Sequence, residues 1–208
     1  MPSIAAVCTR LLPTEVELRT LLEISNTIDR VLKAIAFTFG WLFVVLVAVI
    51  VFDVVTRKAG FQLSVFGIDF GSTRLQEMEW HIHGMLFLTW IGYAYVRNAH
   101  VRIDVFTADL SERKTAWLEL IGCLVFAAPY LLVALPYAFS FFLTSFYQGE
   151  SSSAPNGLPW RWIIKAFLFF GFASVLLAVI SVASRRIVFL FGDPDVSERA
   201  MPRPASAH

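Results

Sequence analysis

Charge is what this sequence has least of. Only 16% of its 208 residues are Asp, Glu, Lys or Arg, where a soluble domain carries about 25%. The few charges cluster between long stretches that contain almost none, which excludes an ordinary soluble globule. Cysteine is scarce as well. Cys8 lies in a polar N-terminal stretch and Cys123 in an apolar one, so they are expected at different depths and not in a disulfide. Neither has metal-ligand spacing. No nucleophile elbow, phosphate loop, zinc-protease motif or dinucleotide fingerprint occurs, which leaves enzymatic chemistry almost no residues to stand on. No internal repeat is found, although many carriers that move solute unaided are built from repeated halves. No A-x-A-like cleavage site follows the first apolar run, so that run is expected to stay as an anchor.

What remains is apolar: 57% of the residues are hydrophobic and the mean hydropathy is +0.67. The pattern predicts an all-α integral membrane protein with four transmembrane helices. A cytoplasmic segment, 1–33, comes first. Within it Thr14 and Glu17 have capping-box spacing. Leu18, Leu21, Leu22, Ile28, Val31, Leu32 and Ile35 recur every three or four residues, with Arg19, Glu23, Asp29, Arg30 and Lys33 mostly between them. This is an amphipathic helix, expected to lie at the membrane interface or to dock on a partner. The membrane domain, 34–191, holds spans at about 34–52, 78–96, 116–147 and 160–184, each near or above the roughly 20 residues that cross the hydrocarbon. The third is too long to cross upright. It must tilt, kink or protrude, and Pro129 and Pro136 are its kink sites. The loop at 60–74 is too apolar to float in water. Residues 148–159 form a loop rich in Gly, Ser and Pro, and 192–208 read as a disordered cytoplasmic tail.

Basic residues set the orientation. Arg10, Arg19, Arg30 and Lys33, then Arg97, Arg102, Arg113 and Lys114, then Arg185, Arg186, Arg199 and Arg203 fall on one side, and Arg57, Lys58, Arg74, Arg161 and Lys165 on the other. The richer side belongs inside, so both termini are predicted to be cytoplasmic.

The densest polar cluster is Gln76, Glu77, Glu79, His81 and His83 at the start of the second span. A haem held by two histidines needs one from each of two facing helices. His81 and His83 point about 200° apart on one helix, and His100 belongs to the opposite side. Zinc lacks further ligands nearby. A haem-bearing anchor of a respiratory enzyme is therefore the alternative, not the first reading. The cluster is better read as a helix rim, hydrated or paired with Arg57, Lys58 or Arg74, its acids favoured by the helix dipole. Asp53 and Arg57 have i, i+4 spacing and can pair. His100, Arg102 and Asp104 alternate with apolar residues in an ordered loop, which leads to Ser111 as N-cap of the third span.

These residues, in this order, resemble the small membrane subunit (DctQ-like small permease) of tripartite ATP-independent periplasmic (TRAP) transporters. The resemblance covers about residues 28–185. It rests on Asp53-Val-Val-Thr-Arg57 closing the first span and on Gln76-Glu77-Met-Glu79-Trp80-His81 opening the second. His100-Val-Arg102-Ile-Asp104-Val, Leu110-Ser111, Gly122 and Pro129 follow, then Gly149-Glu150-Ser151, Gly157-Leu158-Pro159, Lys165 and Gly171-Phe172. The loop at 60–74 departs from the family pattern in being longer and more apolar. The resemblance implies a multi-pass protein of the bacterial inner membrane. It implies a scaffold without catalysis, cofactor or metal, in a sodium-driven importer of an organic acid or similar solute. The implied partners are a large membrane subunit, a periplasmic solute-binding protein and the lipid bilayer, with no nucleic acid. Asp53, Arg57, Gln76, Glu77, Glu79, Trp80, His81, His100, Arg102, Asp104, Glu150 and Lys165 are the expected partner-contact or structural residues.

Overall fold

The computed structural model describes residues 14–60, 63–65, 68–70, 72–99, 110–154 and 156–200. These are helical apart from short loops and one small hairpin. Helix α1 (Glu15–Gly40) starts at the expected capping box: the Thr14 N–H donates to Glu17 Oε2 at 2.7 Å, and the Glu17 N–H to Thr14 Oγ1 at 3.4 Å. Both orphan donors at the helix start are thereby satisfied. After a turn at Trp41, α2 (Leu42–Ala59) continues the same rod of 45 residues. The Trp90 indole N–H donates to the Ala36 carbonyl at 2.8 Å, and its ring lies where a side chain on Gly40 would point. An inserted side chain is one of the ordinary causes of a helix break.

Gly60, with φ of 69°, ends α2. Strands β1 (Leu63–Val65) and β2 (Ile68–Phe70) then form an antiparallel hairpin with Ser64 opposite Asp69. Sequence reading expected only a loop here, because three-residue strands are too short to show an alternation. Helix α3 (Ser72–Val96) follows. Helix α4 (Glu112–Ile121) runs through a π-helical turn at Gly122–Ala127 into α5 (Ala128–Tyr147), with Ser111 in extended conformation at its start. Helix α6 (Trp162–Phe191) and the short α7 (Pro194–Ala200) complete the described chain.

Paired contacts fix the directions of the helices. Leu18 lies against Val188, Ser25 against Ser181 and Phe39 against Phe167, so α1 runs antiparallel to α6. Helix α3 runs parallel to it: Gly84 faces Ile164, and Gly92 faces Ser174. Trp117 meets Phe191 and Phe139 meets Phe169, so α4–α5 is antiparallel again. The chain goes up, down, up and down, with α6 at the centre.

The sequence of α6 explains its place. Gly171, Ser174, Ala178, Ser181 and Ser184 are buried at helical spacing, and small residues let backbones approach closely. A Cβ on Gly92 would come within 2.8 Å of the Ser174 carbonyl oxygen, and one on Gly171 within 2.8 Å of Leu88. Large apolar side chains instead face outward, among them Phe37, Trp41, Val44, Phe126, Tyr130 and Tyr137. Such a surface suits lipid and not water.

Among the described residues, three helices are long and apolar enough to cross a membrane: the α1–α2 rod, α4–α5 and α6. Helix α3 has the length, 25 residues, but its run is diluted by His81, His83, Thr89, Tyr93 and Tyr95.

Two expectations change. The amphipathic helix does not stand apart as an interfacial element, because Leu18, Ser25, Leu32 and Ala36 are buried within the chain and α1 docks on α6. In the segment expected as a disordered tail from 192 onward, Pro194–Ala200 is helical. The Val196 and Ser197 N–H groups donate to the Asp193 carbonyl at 3.0 and 2.8 Å and start α7. Ala200 is buried against the patch of Leu18 and Val188. A helix of seven residues, about two turns, is too short for its periodicity to show in the sequence. Residues 1–13 and 201–208 lie outside the described residues.

Candidate functional site at the two polar ends of the bundle

One end is built around Glu77, in the first turns of α3. Its Oε1 accepts a hydrogen bond from the Ser152 hydroxyl, and its Oε2 accepts the Leu158 N–H at 2.6 Å. One carboxylate thus holds the loop between α5 and α6 at two points. Ser152 Oγ also accepts the Ala154 N–H at 3.1 Å, and the Ser152 N–H donates to the Leu158 carbonyl at 3.0 Å. Arg74 Nε donates to the Asn156 carbonyl at 2.9 Å. Gly157 is required at the centre: a Cβ there would meet Ser152 Cβ at 2.4 Å and Glu77 Oε2 at 2.9 Å. Irregular backbone near a membrane must find its hydrogen bonds within the protein, and Glu77 accepts one of them, the Leu158 N–H, while also holding the Ser152 hydroxyl.

Beside this latch, Lys165 of α6 forms an ion pair with Glu150. The bonded ammonium holds the Glu150 carboxyl below the usual carboxylate range. Lys165 Nζ also lies 3.8 Å from the centre of the Phe141 ring, a cation–π distance. Arg161 donates its N–H to the Glu150 carbonyl at 3.0 Å and places its guanidinium 5.8 Å from the centre of the Trp80 ring.

The remaining expected residues fall around this end. Asp53 and Arg57 form the anticipated i, i+4 ion pair, with only its Asp53 end buried. Asp53 is 1% exposed while the Arg57 side chain is 52% exposed. His81 is buried, stacks on Trp80, and has Nδ1 2.6 Å from the Glu77 carbonyl. His83, the other described histidine, is exposed on the opposite side of α3, so these two histidines do not face a common site. Gln76 is exposed and Glu79 partly buried. Asp53 Oδ1, Glu79 Oε1 and His81 Nε2 are buried without partners among the described residues. His100, Arg102 and Asp104 lie outside the described residues.

The other end was missed by sequence reading. Ser25 and Ser181, both fully buried, have their hydroxyls 2.8 Å apart. The Ser181 hydroxyl donates to Asp29 Oδ1 at 2.5 Å. Arg185 donates to Asp29 Oδ2 at 2.5 Å and to Asn26 Oδ1 at 2.8 Å. Arg186, on the other side of α6, pairs with Glu119 of α4 at 2.5 Å. The signal was present as Ser181 and Arg185 four apart at the end of an apolar run, facing Ser25 and Asp29 four apart on α1. No local rule joins segments more than 150 residues apart.

The family model "Tripartite ATP-independent periplasmic transporters, DctQ component" matches residues 46–188, which is well over half of the chain. No characterised protein and no solved structure matches it.

Proposed function

We propose that this chain, which belongs to the DctQ component family of tripartite ATP-independent periplasmic transporters, is the non-catalytic scaffold of a sodium-driven importer. The solute is an organic acid or similar compound, brought by a periplasmic binding protein and moved by a large membrane subunit. The chain sits in the bacterial inner membrane with four spans and both termini in the cytoplasm. Alternating helix directions support the fourth span, since α3 must return the chain between two membrane-capable neighbours. The excess of Lys and Arg at the Arg185 end supports the orientation.

The observation that carries the scaffold reading is where the polar side chains go. Glu77, Lys165, Asp29, Arg185, Glu119 and Arg186 bind other elements of the same chain. Such cross-links favour one rigid arrangement of helices, as a brace for a moving partner requires. Glu77, Glu150 and Lys165 take structural roles in this reading. Exposed Trp80, with Gln76 and Arg57, is offered to the large subunit or the docked binding protein, and Arg102 and Asp104 shape the cytoplasmic loop.

The test is a mild-detergent pull-down of tagged chain from its native host, with partners identified by mass and an absorbance scan of the same sample. A stoichiometric, many-helix membrane protein in a colourless sample is the expected result. A coloured sample, or a chain that purifies alone as an oligomer, would overturn it.

A further inference from the structure

A cavity of about 610 Å³ opens between α3, α5 and α6 at the Glu77 end, a size typical of small-molecule sites. Its residues are graded along the bundle. Arg161, Lys165, Glu150 and Trp80 lie at the mouth, and Gly84, Leu88, Ile164 and Leu168 lie further in. From Trp80 to Leu88, eight residues of helix extend about 12 Å. The groove thus runs from charged and indole groups onto purely apolar walls over the depth of a headgroup region and the start of an acyl chain.

The charges at the mouth are not all committed. The ion pair uses one of the three donors of Lys165, which leaves two. The Arg161 guanidinium rests over Trp80. It acts through space on Glu77 and Glu150, yet makes no side-chain hydrogen bond or ion pair with either. Two cationic donors one helical turn apart, above an apolar groove, are complementary to a phosphate that carries a hydrocarbon tail.

We infer that this groove binds one membrane phospholipid, its phosphate between Arg161 and Lys165 and one acyl chain along Leu88, Ile164 and Leu168. The inference does not depend on the scaffold role. The lipid wedges α3 against α5 and α6 at the same end that Glu77 latches.

Native mass spectrometry of the full chain, delipidated in mild detergent, tests it. The probes are phosphatidylglycerol, a diacylglycerol of the same chains, and glycerol phosphate. The expected result is one tightly held phosphatidylglycerol per chain, with at least tenfold weaker retention of the other two. Arg161→Gln, which breaks no ion pair, should weaken retention at least tenfold. Leu168→Trp, which narrows the apolar part, should do the same, whereas Arg97→Gln at the other end should change nothing. Equal binding of diacylglycerol would mean simple apolar filling. Saturation by glycerol phosphate would mean a free-phosphate site. Loss of the lipid on co-purification with the large subunit would mean a protein interface. Each of these overturns the inference, as does unchanged retention by Arg161→Gln.

Discussion

The two ends of the bundle are both polar, but they use polarity differently. At the Glu77 end, one carboxylate from a helix binds the backbone and a serine of a loop about 80 residues away. At the Arg185 end, side chains bind side chains, helix to helix: α1 to α6 through Asp29 and Ser181, and α4 to α6 through Glu119 and Arg186. The first arrangement fixes the shape of a surface. The second fixes the register of rods. In the middle neither is needed, because Gly92, Gly171 and Ser174 let α3 and α6 meet almost backbone to backbone. A brace benefits from both devices, a shaped face at one end and locked helices at the other.

The comparison breaks most visibly at Glu77. Glu77→Ala should free the loop at 148–159 and leave the Leu158 N–H unsatisfied. A hydrogen bond to a charged group contributes about 1.5–3 kcal/mol, so the melting temperature in detergent should fall by several degrees. Limited proteolysis should cut the loop much faster, with the Arg185 end unaffected. If the loop stays protease-resistant in the variant, the latch is not what shapes this surface. Glu77→Gln, which keeps acceptor and size, should recover part of the loss.

How much of this could be read beforehand follows from range. The capping box at Thr14 and Glu17, the pair of Asp53 and Arg57 and the apolar runs are all local, and each was legible from spacing alone. The rim reading of Glu77, Glu79, His81 and His83 expected them to be hydrated or paired with Arg57, Lys58 or Arg74. Glu77 instead binds Ser152 and Leu158, an uncharged hydroxyl and a backbone amide. Charge pairing is the natural first guess from a sequence, while a backbone N–H has no residue letter. Docking of α1 on α6 was hidden for a related reason. Its apolar stripe fits lipid, partner and neighbour equally well, and only Ser25 and Asp29 beside that stripe hinted at a polar counterpart.

A smaller effect is expected at the other end. Asp29 and Arg185 are each about one-fifth exposed, so solvent weakens their attraction but does not remove it. A double-mutant cycle with Asp29→Asn and Arg185→Gln should give a coupling of about 1 kcal/mol, within the range of contacting pairs. Zero coupling in thermal unfolding would mean that Ser25 and Ser181 hold α1 in register without the ion pair.

The smallest effect is in pH, where the two ends should slope in opposite directions. Glu150 has its carboxyl lowered by the Lys165 ammonium. Its contribution is therefore complete above the unfolded-state pKa and is lost as pH falls through the lower folded value. Glu15 at the start of α1 is raised, first by its hydrogen bond with Asp193 ahead of α7 and then by that residue's charge. Its contribution is present below the unfolded pKa and lost as pH rises through the folded value. Acidification through the carboxylate range should thus loosen the loop beside Lys165 while it tightens the junction of α1 with α7. Hydrogen exchange at stepped pH separates the two, since it reads 148–159 and 193–200 as distinct segments. Parallel changes in both segments would mean that the whole bundle responds as one unit and that the difference between its ends is geometric alone.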